Sequence, residues 1–136
     1  GAASNNDLDM FGELRTAALL AKGVAQNPSA VPAHQALAMA TINGARALGI
    51  DQVTGSLEAG KSADLIAVKL DDVSCQPFYH IESQLVYATP SSQVSDSWVA
   101  GKRLMKNREL TTIDLPAVLK RAAEWKTKIA AQDKPS

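Results

Sequence analysis

The sequence predicts a mixed α/β chain in which two helices come first, short strands follow, and one helix ends the chain. Apolar residues recur at helical spacing within the first 50 positions, which is typical of helices that bury an apolar face. The segment 63–70 is apolar on both faces at its centre, as in a strand of a sheet that is covered on both sides. A second helical apolar period begins at Leu115. This order suggests the end of one domain joined to the end of another.

The first helix follows an opening segment of small and polar residues, 1–7. Asn6 or Asp7 is predicted to cap a helix that runs to about Lys22, because short polar side chains accept hydrogen bonds from free amides at a helix start. Its apolar residues cover more than one face. We therefore expect this helix to have neighbours on more than one side.

The second helix is predicted to begin at Pro32, to run to Leu48 and to stop at Gly49. Its face is rich in alanine, which allows close approach to a flat surface. Gly44 interrupts it at a cost of about 1 kcal/mol relative to alanine. A packing reason for this glycine is therefore expected.

Strands and turns dominate the middle of the chain. The sequence predicts a short strand with a turn at 55–61, a strand at 63–70, and a hairpin over 94–105 that turns at Ala100 and Gly101. The last helix is predicted to have Thr112 or Asp114 as its cap.

Composition narrows the class of protein. The net charge is zero and 46% of residues are apolar, as in an ordinary globular protein. The low aromatic content, 4%, argues against a stacking surface for nucleic acid. Apolar runs are too short to span a membrane, no leader-like segment opens the chain, and one cysteine excludes an internal disulfide. The expected location is cytoplasmic, without nucleic-acid or membrane partners.

Charge is unevenly distributed. Residues 101–136 carry nine Lys and Arg against four Asp and Glu, whereas residues 1–100 carry five against ten. A basic segment can attract polyanions. A solvated helix face with exposed hairpin lysines is the favoured interpretation.

Individual residues disclose no working catalytic site. His34 and His80 are far apart in sequence and lack companions at metal-ligand spacing. Cys75 has no basic neighbour and is expected to be an inert thiol. Asp64 is predicted to be a structural acceptor that holds the turn at Gly60 and Lys61.

Three further side chains carry structural expectations. Arg15 lies too close to Glu13 in sequence for the two to face each other on a helix, so each needs an outside partner. Trp98 and Trp125 are predicted to anchor the core rather than to stack on a ligand.

Four segments, taken together, resemble the amidohydrolase superfamily. Residues 1–10 resemble the loop after the eighth barrel strand, and 41–49 resemble a late helix of these enzymes. The segment 55–65 and the residues 98–102 resemble the return into a small β-sandwich and its final hairpin. The narrower resemblance is to the branch that acts on 5′-methylthioadenosine, S-adenosylhomocysteine and chlorotriazines.

The resemblance implies the C-terminal end of a (β/α)₈ TIM barrel, followed by part of a flanking small β-sandwich and a terminal helix. Residues 1–50 would form the end of the barrel, with the site loop and outer helices. Residues 51–111 would form the sandwich segment, and 112–136 the C-terminal helix and tail, packed back on the body.

The implied site contains few groups from this chain. Ala3, Ser4, Asn5 and Asn6 would lie beside the metal, where the asparagines either pin the loop, as favoured, or touch the substrate. No catalytic residue and no metal ligand is expected here, because the family's aspartate would stand immediately before Gly1. A divalent metal, zinc or iron, is implied for the full enzyme, with none bound by this chain alone.

The implied activity is hydrolytic deamination of an adenine-type nucleoside with release of ammonia. The partners would be the remaining N-terminal part of the same enzyme and a small-molecule substrate, with a possible homo-oligomer, and this piece alone would be inactive. Two alternatives stay open: a chlorotriazine or guanine-type cyclic amidine hydrolase, and a non-catalytic interaction module that works through its apolar helix faces and basic tail.

Overall fold

The structure, a computed structural model, describes residues 7–132. Helices precede, interrupt and follow a four-stranded sheet. The helices are α1 Met10–Ala25, α2 Ala33–Ala40, α3 Ile42–Ala47, α4 Ile81–Ser83 and α5 Leu115–Gln132. The strands are β1 Leu65–Val68, β2 Val94–Val99, β3 Lys102–Lys106 and β4 Glu109–Leu110.

Helix α1 confirms the first predicted helix but begins and ends later. Its cap is Asp9, not Asn6 or Asp7, because Asp9 Oδ1 accepts hydrogen bonds from the backbone amides of Phe11 and Gly12. Its end lies beyond Lys22, where Gln26 adopts a left-handed conformation with φ 48° and closes the last turn.

The second predicted helix is divided into α2 and α3. The backbone breaks at Thr41, with φ −126° and ψ −102°, and the Thr41 hydroxyl donates to the Leu37 carbonyl at 2.7 Å. A Cβ on Gly44 would lie 3.1 Å from the Met39 carbonyl oxygen. The kink thus brings two backbones together, which confirms that Gly44 has a packing reason. Gly49 follows α3 with φ 70°, the left-handed conformation in which helices commonly end, so the predicted helix end at Gly49 is confirmed.

The sheet has the order β1-β2-β3-β4, and all neighbouring strands are antiparallel. Leu65 of β1 lies opposite Trp98 of β2. The predicted hairpin is confirmed: β2 and β3 join through Ala100 and Gly101, with φ 49° and 75°, the left-handed pair that a tight hairpin turn requires. The strand predicted at 63–70 is also confirmed, with narrower bounds.

The short strand predicted within 55–61 is wrong, because no residue of this segment belongs to a strand, whereas the predicted turn is present at Ala59 and Gly60. Gly55 and Gly60 have φ values of 95° and 91°, which extended strands do not adopt. The segment lies against α3: a Cβ on Gly55 would come within 2.6 Å of the Ala45 Cβ and 3.1 Å of the Ile42 Cα.

The core is small and lies between α1, α2 and the π-helical turn Gln84–Ala88 that continues α4. Its most deeply buried members carry small or branched side chains: Leu14, Ala18, Ala33, Ala36 and Val86. Other apolar side chains of α1 are exposed, with Leu20 at 63% and Val24 at 78%. An apolar surface of this kind fits the expectation of neighbours on more than one side of α1.

Helix α5 confirms the last predicted helix and selects its cap. Asp114 Oδ1 accepts a hydrogen bond from the Ala117 amide at 3.0 Å. The side chains described at 111–131 are all exposed. Trp125 is 58% exposed, so its prediction as a core anchor is wrong for this chain. Trp98 is half-buried beneath the Arg103 guanidinium, 5.1 Å from the ring centre.

No helix within residues 7–132 combines the length and the apolar character that crossing a bilayer requires.

A buried carboxylate joins β2 to β3. Asp96 is 7% exposed. Its Oδ2 accepts from the Ser95 hydroxyl at 2.6 Å, while its Oδ1 accepts from the Asn107 amide and from both Nε and Nη2 of Arg103. The Ser95 hydroxyl and then the Arg103 guanidinium lower the pKa of Asp96 to about 2. Both donors favour the ionised carboxylate.

We expect Gly55→Ala to destabilise the protein more than Gly60→Ala. Both substitutions place a side chain at a left-handed backbone, but only Gly55 faces packed atoms, whereas no described atom lies within 4 Å of a Cβ on Gly60. The extra loss in free energy of unfolding should be about 1–3 kcal/mol, the usual range for overpacking. Urea unfolding followed by circular dichroism measures it, and equal losses would contradict the close packing of Gly55 on α3.

Acid should weaken the Asp96 cluster. Because the folded pKa of about 2 lies below the ordinary 3.8, the contribution to stability is complete above the ordinary value and is lost as the pH falls towards 2. We expect Asp96→Asn to lower the urea midpoint at neutral pH and to flatten its decline in this acid range. Glu109→Gln, which neutralises an exposed carboxylate on β4, should keep the wild-type decline. Identical acid profiles for Asp96→Asn and the wild type would contradict the assignment.

Candidate functional site

The predicted site residues Ala3, Ser4, Asn5 and Asn6 lie outside the described residues, which begin at Asp7. Their proximity to a metal or substrate stays a prediction. The described part of the chain nearest to them in sequence is the start of α1, so the geometry there defines the candidate site.

Asp9 connects the start of α1 to a distant part of the chain. Its Oδ1 accepts from the amides of Phe11 and Gly12 at 2.9 and 3.2 Å. Its Oδ2 accepts from the Ser91 hydroxyl at 3.0 Å, across 82 positions of sequence. One carboxylate therefore caps the helix and also fixes it to the turn before β2.

Arg15 makes a second connection to the same segment. Its Nε donates to the Val86 carbonyl at 3.4 Å, and its Nη2 donates to the Thr89 carbonyl at 3.1 Å. Val86 and Thr89 are fully buried. The prediction that Arg15 needs an outside partner is confirmed, and its partners are two backbone carbonyls.

The π-helical turn Gln84–Ala88 determines the positions of the Val86 and Thr89 carbonyls. The Thr89 amide and hydroxyl both donate to the Gln84 carbonyl at 2.9 Å. This wide turn brings the Val86 and Thr89 carbonyls within reach of the Arg15 guanidinium.

Lys22 holds the other end of α1. Its Nζ donates to the carbonyls of Ala30 and Val31 at 2.6 and 2.8 Å and lies 5.6 Å from the centre of the Tyr87 ring. Val31 has φ 44°, which is unfavourable for a β-branched residue. The ammonium thus stabilises a strained loop, and α1 is fixed at both ends.

Asp64 is a structural acceptor, as predicted, but its partners differ from the prediction. It accepts from the Ala100 amide at 2.6 Å, the Thr54 hydroxyl at 2.8 Å and the Ser62 hydroxyl at 3.0 Å. It therefore holds the turn of the β2–β3 hairpin instead of the turn at 60–61. The Ala100 amide, followed by the Thr54 and Ser62 hydroxyls, lowers the pKa of the Asp64 carboxyl. A carboxylate held in this way is poorly suited to accept a proton at neutral pH.

The remaining candidates do not form a site. His34 and His80 are exposed, and Cys75 is buried, with 2% of its surface exposed. Within residues 7–132, no three His, Cys, Asp or Glu side chains converge where they could hold a metal ion. The described residues therefore do not fit the metal site that the resemblance implies.

An open groove of about 870 Å³ lies between helices α2 and α3 and the β1–β2 edge of the sheet. Apolar side chains contribute much of its lining, among them Leu48, Leu57, Ile66 and Trp98. Asp64 also lines it, but this carboxylate is occupied by its three donors. The groove thus offers an apolar surface, and its one carboxylate is already committed to structural bonds.

Sequence patterns do not single out Ser91 or Thr89. Both lie just before the predicted hairpin at 94–105, and their partners lie more than 70 positions away. Local periodicity carries no signal for bonds over such separations. The small polar residues around Pro90 are the only local indication of a turn.

Comparison with known proteins gives consistent results. Residues 1–104 match the model of the amidohydrolase family. The 5-methylthioadenosine/S-adenosylhomocysteine deaminase of Teredinibacter turnerae is 51% identical over 97% of this chain and 30% of its own length. This chain thus spans about 30% of the length of that relative.

Solved structures agree with the sequence match. A zinc-bound adenosine deaminase from Xanthomonas campestris is 49% identical, with a TM-score of 0.91 over 96% of this chain and 30% of its own. The atrazine chlorohydrolase of Arthrobacter aurescens, complexed with zinc, is 29% identical, with a TM-score of 0.82 over 91% of this chain and 28% of its own. Mixed helices and strands in the same arrangement confirm the predicted α/β class. The chain belongs to the amidohydrolase family.

Proposed function

We propose that this chain is the C-terminal part of a hydrolytic deaminase that acts on an adenine-type nucleoside such as 5′-methylthioadenosine or S-adenosylhomocysteine. The observation that carries the proposal is the 51% identity to the Teredinibacter turnerae deaminase over nearly the whole chain. In such a reaction water adds to the ring carbon that bears the amino group, the carbon–nitrogen bond breaks, and ammonia leaves.

The proposed architecture follows the order of elements. Residues 1–50 are the end of a (β/α)₈ barrel, 51–111 a segment of a small β-sandwich, and 112–136 the C-terminal helix and tail. The exposed apolar side chains of α1 support a further layer against this helix. The exposure of α5 likewise supports a neighbour from the rest of the polypeptide.

The proposed site loop consists of Ala3, Ser4, Asn5 and Asn6. Barrel enzymes place their active sites in the loops at the carboxyl ends of the strands, and these residues come shortly before Asp9, the cap of α1. The anchoring of α1 through Asp9 and Arg15 supports this role, since a fixed helix start gives the preceding residues a defined point of attachment.

A divalent metal, zinc or iron, belongs to the proposed full enzyme, and it would supply an activated water. The zinc in the Xanthomonas campestris and Arthrobacter aurescens structures supports this. Because residues 7–132 do not fit a metal site, we assign its ligands to the remaining part of the same enzyme. That part is the proposed partner, and homo-oligomerisation is proposed as well. The single cysteine, Cys75, is buried, which accords with the proposed cytoplasmic location.

A chlorotriazine hydrolase is the second candidate. The TM-score of 0.82 to the Arthrobacter aurescens chlorohydrolase favours it, but the identity of 29% is well below the 51% to the nucleoside deaminase. The non-catalytic module has less support, because the likeness to enzymes extends over 97% of the chain.

Ammonia release tests the proposal. We expect the full-length protein, loaded with zinc or iron, to deaminate 5′-methylthioadenosine with a kcat/KM of about 10⁴–10⁸ M⁻¹s⁻¹, and to be much slower on atrazine and guanine. Residues 1–136 alone should release none. Preference for atrazine would support the second candidate, whereas robust turnover by residues 1–136 alone would contradict the assignment of the metal ligands elsewhere.

A further inference from the structure

We propose that the free edge of β1 receives a strand from the N-terminal part of the same polypeptide, and that this strand fills the apolar groove beside it. The inference rests on the proposed function in taking this chain as the C-terminal part of a longer enzyme. Strand β1 pairs with β2 and forms one end of the sheet order β1-β2-β3-β4. Within residues 7–132, no strand lies on its other side.

The backbone groups of Ile66 and Val68 point away from the sheet. Successive residues of a strand direct their N–H and C=O groups to opposite sides. The Lys69 amide donates at 2.9 Å to the carbonyl of Gln93, which precedes β2, and the Ala63 carbonyl accepts from the turn of the β2–β3 hairpin at 3.1 Å. Odd-numbered residues of this segment therefore face β2. Ile66 and Val68 face the free edge, where unpaired backbone groups are a template for a further strand.

The two edges of the sheet differ in their protection against a further strand. Strand β4 is two residues long, both exposed, and carries Glu109 next to Arg108. Short length and charge are the usual protection of an edge that faces solvent. Strand β1 consists of Leu65–Val68, with neither a charge nor a proline, and Ile66 is 51% exposed. This contrast selects β1, and not β4, as the edge that is covered in the complete protein.

The apolar groove extends around this same edge. Leu65 and Ile66 are consecutive, so their side chains point to opposite faces of the sheet, and both line the groove. Leu48 and Leu57 also line it, with 74% and 76% of their surface exposed. An added strand that carries apolar side chains towards the groove buries these leucines, which is favourable. The expected partner is therefore an apolar strand.

The length of the missing chain favours a segment of the same polypeptide over a second copy. This chain spans 30% of the length of the Teredinibacter turnerae relative, so most of the proposed full-length enzyme lies outside it. A segment linked covalently to its binding site has an effective concentration in roughly the millimolar range. A second copy at micromolar concentration competes poorly with such a segment for the same edge.

Hydrogen exchange in the full-length protein tests the pairing. We expect the Ile66 and Val68 amides to exchange about 100-fold more slowly than the Leu110 amide, because a paired amide exchanges only after local opening. Leu110 is the matched residue at the other edge: the Thr111 amide donates to the Leu104 carbonyl of β3 at 2.9 Å, so the Leu110 amide points away from β3. Equal exchange at the three amides would overturn the proposal.

Proline substitutions test the same bonds through stability. Ile66→Pro removes a donor that does not face β2, a change that a free edge tolerates and a paired strand does not. In the full-length protein we expect this substitution to lower Tm by about 5–10 °C, and Leu110→Pro to lower it less than half as much. Equal losses would contradict the pairing. If Ile66→Pro does not fold, the exchange of the wild type still decides.

Photo-cross-linking identifies the occupant. With p-benzoylphenylalanine in place of Leu57 in the full-length protein, we expect a cross-link to a peptide that precedes residue 1, in a product of monomer mass. The same group in place of Leu110 should give no cross-link to that peptide. A product of twice the monomer mass, which indicates a second copy, or cross-links confined to residues 1–136 would overturn the proposal.

These results are separate from the deamination assay. A full-length protein that gives the expected cross-link but deaminates no nucleoside would refute the proposed function and leave the docking edge in place. An active enzyme whose Ile66 amide exchanges as fast as that of Leu110 would refute the docking edge alone.

Discussion

The bonds between α1 and the segment 84–91 are the constraint on which the helical part of this structure depends. The buried core is small and rich in alanine, so the burial of apolar area alone defines its geometry weakly. Directional bonds supply what the core lacks. Arg15 donates to the Val86 and Thr89 carbonyls, and Asp9 accepts a hydrogen bond from the Ser91 hydroxyl. The helices are thereby placed relative to the segment that leads into β2.

Carboxylates serve as acceptors throughout the described residues. Asp64 joins the turn of the β2–β3 hairpin to Thr54, and Asp96 joins β2 to β3 through Arg103. The donors lower the pKa of both groups, which keeps them ionised and removes them from acid–base chemistry near neutrality. This arrangement agrees with the proposal that the reactive groups lie in the remaining part of the enzyme.

Elements with a strong local signal were predicted correctly from the sequence. The hairpin at Ala100 and Gly101, strand β1 and helix α5 follow from turn chemistry, apolar runs and helical periodicity. Of the two caps predicted for α5, Thr112 and Asp114, the structure selects Asp114. Errors arose where two local solutions compete. Asp9 is the N-cap of α1, although Asn6 and Asp7 are also residue types that cap helices. The second predicted helix breaks at Thr41, although the apolar pattern of its sequence continues through this position. The role of Ala3–Asn6 stays a prediction.

The sequence by itself determined the α/β class, the coarse succession of helices, strands and a last helix and, through four short segments, the likeness to the amidohydrolase family. These properties depend on residues that are close together in the chain, so periodicity and motif spacing carry them. Only the tertiary structure decided which residues hold α1, which turn Asp64 serves, and that Trp125 is exposed. Such bonds join positions up to 82 residues apart, and their partners are often backbone atoms, which every residue possesses and no sequence pattern distinguishes.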